Sequence, residues 1–461
     1  MLSRSSVCRG AQRALRRQCP HPVQRRGLAA PASGSFQYQT GDAKGVKFAS
    51  RDLAGPTTTL ALVSKAGTRY QLLPGLTEGL EKFAFKSTER RSALRIVRES
   101  ELLGAELTSY HSRENLVIGA KFLRDDLPYF VELLSEVATS TKYAPHVYHE
   151  EVLPLIKMTE KKLLANTKEI ALNSAHSLAF HRGLGTPVIP AFSAPYTQYL
   201  DADTIEHFSE FAYAKPNFAI VANGAEHEDL SKWVNEFFEG AHSQPPKDIL
   251  EASGEKQTKY YGGEERIAHG SGNSMVLAFP GSSSFTGGFY KPEIAVLASL
   301  LGGQSNIKWS SGFSLLAKAA AGPGTTVETK SAIYSDAGLL YIAINGTASN
   351  VAAAAFEAVK TLHSIAGGKI SKEDIKKAKA AAKFKELEYG EDVKAGLELT
   401  GSGLVHGRKA YQIDETAKSI DSVTDEKIKA AAKTLLESKA CVSSVGDLFL
   451  LPYAEDLGLK V

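Results

Sequence analysis

Cysteine, methionine and tryptophan are scarce in this 461-residue chain, at three, three and two copies. Two of the cysteines, Cys8 and Cys19, fall in the first twenty residues, and only Cys441 lies beyond them. A disulfide-stapled domain, a cysteine-ligated iron-sulfur centre and a covalent haem attachment are thereby excluded, because each needs several cysteines at fixed spacing. Long apolar runs are missing as well. None reaches the ~18 residues that a bilayer-spanning helix requires, and the most hydrophobic stretches, GLLYIAIN and VAAAAFEAV, suit a buried strand and a buried helix. Also lacking are a G-x-S-x-G elbow, a P-loop and a dinucleotide fingerprint in a strand-to-helix context, which leaves nucleophile and nucleotide chemistry without support.

Acidic residues are absent from the first 41 positions, where Arg4, Arg9, Arg13, Arg16, Arg17, Arg25 and Arg26 stand among Ser and Ala with no lysine. Leu2, Val7, Ala11 and Leu15 recur near helical spacing. This composition is that of a mitochondrial transit peptide rather than of a nucleic-acid arm. Residues 1–28 are assigned to it, with cleavage near Arg26-Gly27-Leu28-Ala29. Loss of seven arginines and no acid takes the formal charge from +3 to −4, so a nucleic-acid partner has no support in the mature chain. Cys441, in KACVSSVG, reads as part of a buried strand. At 43% hydrophobic and 23% charged, the remainder is globular and long enough for more than one core.

Features recur at a spacing of about 220 residues, as expected of a twofold repeat. TLALVSKAG from Thr59 has its counterpart in SMVLAFPG from Ser274, Leu116–Phe122 in Leu339–Asn345, and Phe218–Gly224 in Cys441–Gly446. The Pro, Gly and Ser content of 239–259 marks an exposed connection between an N-terminal half, 42–238, and a C-terminal half, 260–461. Ala93, Ile96, Val97, Ser100 and Leu103 predict an amphipathic helix ending at Gly104. Asp125 or Asp126 then caps a second helix with Pro128 in its first turn and a face of Leu127, Phe130, Val131 and Leu134. Helices alternating with hairpin-connected strands predict an α+β fold: an antiparallel-rich sheet in each half with helices packed on it.

The segment GLTEGLEKFAFKSTERRSA, Gly75 to Ala93, keeps the frame of a zinc-peptidase helix without its metal ligands. In the motif H-x-x-E-H two imidazoles one turn apart bind zinc, and the glutamate between them is the general base. Aligned on Gly75, Leu80, Glu81, Ala84, Phe85, Lys86 and Thr88, the segment resembles that motif in the family of pitrilysin and the mitochondrial processing peptidases. The first histidine position falls on Glu78, the base on Glu81 and the second histidine on Lys82. The third ligand of that family is a glutamate one helix hairpin downstream. Glu151 matches the acid seven places before it, and the ligand position itself holds Met158. An ammonium has no lone pair to give, and a neutral thioether suits zinc poorly in an imidazole and carboxylate site. The resemblance therefore implies no catalytic residues and no bound metal. Glu78, Glu81 and Lys82 read as a helix surface with an i, i+4 ion pair.

Other constellations are weaker. His146 and His149 have ligand spacing beside two carboxylates but no identifiable third donor, and are expected to face solvent. His176 and His181 flank an apolar turn and are expected to pack. In non-catalytic processing-peptidase subunits a Gly-rich loop receives presequences. The matching segment here, Leu301 to Ala319, contains Ile307, Lys308 and Trp309, so a packing or subunit-contact role is expected, with Trp309 as an interface anchor.

The segments KAGTRYQ, GLEKFAFKST, LLGAELTSYHSRENLVIGAKF and YYGGEERIAHGSG extend the resemblance from about Phe48 to the C-terminus. They are most similar to the non-catalytic members of this family that serve as core proteins of the respiratory ubiquinol-cytochrome c reductase. Such a resemblance implies a large subunit on the matrix side of the inner membrane, peripheral to it, paired with a related core protein in a dimeric complex. No cofactor is expected on this chain itself, the haems and the iron-sulfur cluster belonging to its neighbours.

Overall fold

A computed structural model describes residues 37–52, 55–189, 199–247, 249, 258–304, 312–319, 324–407 and 409–461. The transit-peptide segment and the Ile307-Lys308-Trp309 stretch lie outside these residues.

In the first half, β1 (Gln39–Ala43), β2 (Val46–Arg51), β3 (Thr57–Ser64), β4 (Glu106–His111), β5 (Leu116–Leu123) and β6 (Phe218–Asn223) form one sheet in the order β1-β2-β6-β3-β5-β4. Every neighbouring pair is antiparallel except β2 with β6. On β3 the period of two sends Leu60 and Leu62 to one face and Ala61 and Val63 to the other, and all four are buried. A strand apolar on both sides belongs to a sheet covered on both sides.

The first face receives α1 (Leu76–Phe83), α3 (Leu127–Thr139), α6 (Ala202–Ala212) and α7 (His227–Phe237), whose apolar residues join one core with Phe48, Leu60, Ile118, Phe122 and Ile220. Helix α3 starts as the sequence suggests, with Asp126 at the cap position, Pro128 in the first turn, and Leu127, Phe130, Val131 and Leu134 buried. Asp126 makes no side-chain hydrogen bond there, so the expected aspartate capping bond is not formed. Helix α2 (Ala93–Leu102) is capped by Ser92, whose hydroxyl accepts from Arg95 N. It buries Ile96 and Ser100 but leaves Val97 exposed, which narrows the expected apolar face. Helices α4 (Leu153–Leu164) and α5 (Thr167–Phe180) follow between α3 and α6.

The second half repeats the strand arrangement. β7 (Gly263–Ala268), β8 (Asn273–Pro280), β9 (Thr326–Ile333), β10 (Gly338–Gly346) and β11 (Cys441–Gly446) take the order β7-β11-β8-β10-β9, with β7 and β11 parallel. The repeats TLALVSKAG and SMVLAFPG, and the two pairs after them, thus occupy equivalent strands. Helices α8 (Pro292–Leu301), α9 (Ala348–Ala366), α10 (Lys372–Glu391), α12 (Ile413–Asp421) and α13 (Asp425–Glu437) bury residues in a core on one face of this sheet, and α11 (Val393–His406) runs between α10 and α12.

The remaining face of each sheet is closed by a helix from the other half. Helix α5 places Ala171, Ala175, Ala179 and Phe180 against Val276, Ala278, Leu339, Tyr341, Cys441 and Val445 of the second sheet. Alanines four apart give it a smooth stripe on which strands can rest closely. Helix α11 returns the exchange, setting Leu397, Leu404 and Val405 against Ala49, Ala61, Val63, Val117, Ala219 and Val221. At Gly401 the approach is so close that a Cβ would stand 2.5 Å from Val63 Cβ.

Polar contacts fix the seam between the halves. Arg69 donates to Asp336 on the β9–β10 turn at 2.6 and 2.8 Å and to Glu114 on the β4–β5 turn at 2.7 Å. Burial alone would raise the Asp336 carboxyl, but the Arg69 guanidinium overrides it and holds the group down to about 2. The adjacent Arg113, fully enclosed, donates to Leu184 O at 3.0 Å and Asn173 Oδ1 at 2.6 Å, tying this hairpin to α5 and the turn after it.

Two outcomes are expected. A protease site inserted between residues 251 and 257 should yield two fragments that co-elute in gel filtration after cleavage, because α5 and α11 remain exchanged; separation into independent halves is the contrary result. Gly401→Leu should lower unfolding free energy by about 1–3 kcal/mol in a denaturant titration, as overpacking does.

Candidate functional site

Helix α1 begins at Gly75, whose φ of 96° lets the chain turn sharply into the first turn. Leu76, Leu80 and Phe83 anchor it in the first core. Gly79 leaves room for Ile205 of α6, whose Cδ1 would lie 2.6 Å from a Cβ there. Strand β4 and helices α4 and α6 all pack against α1. Nothing of a solvated helix face is left at the acidic positions: Glu78 is 1% and Glu81 8% exposed. The expected surface ion pair between Glu78 and Lys82 is therefore corrected. Lys82 pairs instead with its neighbour Glu81, which also contacts His111 at the end of β4.

Both carboxyl oxygens of Glu78 are buried without a well-formed hydrogen bond, the Thr159 hydroxyl being the polar group that approaches them. Burial pushes the group up to about 7, against the pull of the positive charges on His111 and Lys82. Its neighbour behaves oppositely. Burial would raise Glu81 too, yet the hydrogen bond and charge of His111, followed by those of Lys82, lower it, so Glu81 is ionised.

His111, the last residue of β4, completes the cluster. Its Nε2 donates to Val188 O at 2.9 Å, and a carbonyl can only accept, so Nε2 carries a proton. Its Nδ1 contacts Glu81 Oε2, an ionised acceptor, so that nitrogen is protonated as well. Burial opposes the imidazolium, but the bond to Glu81 prevails and the pKa is raised.

The arrangement is one carboxylate between two cations beside one buried carboxyl. Both Glu81 oxygens are engaged, which leaves no free base to activate water. Lys82 offers an ammonium, and both His111 nitrogens are donating, so neither presents a lone pair to a metal ion. Met158 lies on α4 with half its surface exposed, and Glu151 pairs with Lys86. Among the described residues no group of three His, Cys, Asp or Glu side chains is placed to hold a metal ion.

The remaining sequence candidates stand apart from this cluster. His146 and His149 are exposed. His176 is buried between Leu172 O at 2.7 Å and the Tyr334 hydroxyl at 2.9 Å, with its pKa well lowered by burial, so it is a neutral packing group. His181 stacks on Tyr261 at 3.9 Å. Cys441 is enclosed in β11, and burial pushes its thiol up to about 11, far from a reactive thiolate. Sequence reasoning missed His111. The available signal was strand parity: His111 shares the side of β4 on which Leu107 packs into the first core.

Two related sheets with a short buried helix at the edge of the first define a two-domain α+β peptidase scaffold. Residues 47–190 match the pattern described as Insulinase (Peptidase family M16), and residues 199–382 match the Peptidase M16 inactive domain. Over their whole lengths, this chain and the cytochrome b-c1 complex subunit 2, mitochondrial, of Neurospora crassa are 52% identical. The protein of the same name from Schizosaccharomyces pombe is 36% identical over 92% of this chain and 95% of its own. The mitochondrial-processing peptidase subunit alpha of Solanum tuberosum is more distant, at 26% over 89% of this chain and 82% of its own. The chain belongs to the M16 peptidase family, in the branch formed by the subunit 2 proteins of the mitochondrial cytochrome b-c1 complex.

Glu78 gives the site a measurable pH signature. Its folded pKa is raised above the unfolded value, so the folded state holds the extra proton and stability falls as pH rises from about 4.5 to about 7, then levels off. Glu78→Gln removes that decline. The variant should be more stable than the native chain above pH 7, by up to about 3 kcal/mol, and the advantage should vanish near pH 4; parallel pH profiles of the two proteins in urea unfolding would contradict it.

Proposed function

We propose that this chain is a core subunit of the mitochondrial ubiquinol-cytochrome c reductase, a scaffold of that complex without peptidase activity of its own. The observation that carries the reading is the full-length likeness to the Neurospora crassa subunit 2. The chemistry of the α1 cluster supports it, because Lys82 and His111 place two positive charges beside Glu81 where a catalytic family member has zinc. Glu78, Glu81, Lys82 and Met158 are in this reading the relics of the coordination sphere. Cation for cation, the protein has replaced an ion with its own side chains.

The partners that follow are the related core protein 1 and the redox subunits of a dimeric complex, which hold the haems and the iron-sulfur cluster. Among the described residues no helix is long and apolar enough to cross a membrane, which suits a peripheral position. The matrix side follows from the transit peptide and from the core-protein resemblance. The division into halves 42–238 and 260–461, with 1–28 removed on import, belongs to the same reading.

A second reading, a non-catalytic substrate-binding subunit of the processing peptidase, draws on the likeness to the Solanum tuberosum alpha subunit. It is the weaker because that identity is half that of the Neurospora crassa protein.

Blue-native electrophoresis of mitochondria, probed for this chain, separates the two. The scaffold reading expects co-migration with cytochrome b-c1 activity, and the alternative expects a smaller soluble species that binds presequence peptides. Metal analysis of the mature protein should find zinc far below one equivalent. Stoichiometric zinc together with peptide hydrolysis abolished by Glu81→Gln would overturn both.

A further inference from the structure

The segment after β11 forms a loop, Asp447–Tyr453, that is both firmly held and strongly apolar at its tip. Asn273 Oδ1 accepts from Asp447 N at 2.8 Å, and Asp447 Oδ1 accepts from Phe449 N at 3.1 Å. From β7, the Arg266 guanidinium donates to Leu448 O at 2.6 Å, Leu451 O at 2.9 Å and Pro452 O at 2.9 Å, and lies 3.8 Å from the centre of the Tyr453 ring. Tyr453 N and Ala454 N donate to Asp456 and Glu264. Leu451 anchors the underside in the second core.

On the outside the same loop presents Phe449 at 101%, Leu450 at 58% and Tyr453 at 55% exposure. A single exposed apolar side chain is ordinary. Three on one seven-residue loop, with a phenyl ring as open to water as in an extended chain, are not, since a loop free to move would fold such a ring back onto the surface. Here the backbone hydrogen bonds prevent that. A rigid backbone offering an aromatic anchor loses little freedom on association, the property of an interface hot spot. The exposed charged side chains of the stretch 447–461 are Asp447, Glu455 and Asp456 against Lys460. That balance repels an anionic membrane surface and favours a positively charged rim on the partner.

We propose that the loop Asp447–Tyr453 is a preformed docking knob, anchored by Phe449, for an apolar socket rimmed by lysine or arginine on another polypeptide. It rests on the scaffold reading for the existence of that partner and supplies a contact surface for it.

The test places the photoreactive analogue p-benzoyl-phenylalanine at position 449 of the full-length chain and irradiates isolated mitochondria. The expected product is one adduct to a single polypeptide, mapped by mass spectrometry to an apolar segment flanked by basic residues. In parallel, the Phe449→Ser, Leu450→Ser double variant should melt at the native temperature, because both side chains already stand in water. Its fraction co-migrating with the native assembly should fall at least fivefold. An adduct to phospholipid alone, no adduct, or undiminished co-migration of the variant overturns the proposal. The two inferences fail separately: a single-polypeptide adduct outside the respiratory complex sinks the scaffold reading and keeps the knob, whereas native co-migration without an adduct does the reverse.

Discussion

The exchange of one helix in each direction is the constraint on which this molecule depends. Each sheet is apolar on both faces, and the chain supplies its own half's helices to only one of them. The second faces, built from Ala49, Ala61, Val63 and Val221 in one sheet and Val276, Ala278 and Tyr341 in the other, are dry only because α11 and α5 cross over. Neither half is therefore a closed unit in the energetic sense, although each contains a complete sheet. The Arg69, Asp336 and Glu114 contacts lie where the turns of the two sheets meet, so charge pairing fixes the register of an association that apolar burial drives.

The α1 cluster illustrates how charged side chains are accommodated inside a protein. A buried glutamate cannot stand alone at low dielectric, and Glu81 is stabilised by an ammonium on one oxygen and an imidazolium on the other. Glu78, without an ion pair of its own, answers the same problem by holding its proton to a higher pH. Two carboxyl groups three residues apart thus have pKa values driven in opposite directions, and the difference is set by hydrogen bonding and charge rather than by depth.

Much of the fold was legible in the sequence. The recurrence of TLALVSKAG as SMVLAFPG and of Leu116–Phe122 as Leu339–Asn345 located equivalent strands, because a strand with apolar residues on both sides suits a central, covered place. Leu127, Phe130, Val131 and Leu134 gave the inward face of α3 correctly. The helix exchange was not legible, since the spacing of Ala171, Ala175 and Ala179 reveals a face to be buried but not the sheet that receives it. Val97 was misjudged because helical spacing cannot tell a one-sided contact from a full one. At the site, the sequence shows Glu78 and Lys82 where the motif has histidines, while the burial of Glu78 and the arrival of His111 from β4 are products of tertiary packing that no window of sequence contains.

The bond from Lys47 Nζ to Leu404 O spans 357 positions along the chain. The face of β2 and β3 that α11 covers stays open until residues 393–406 are in place. Contacts of such sequence separation form slowly, and strands waiting for them are prone to pair with other chains. Covering of this face is therefore a late step in folding, since it waits for α11.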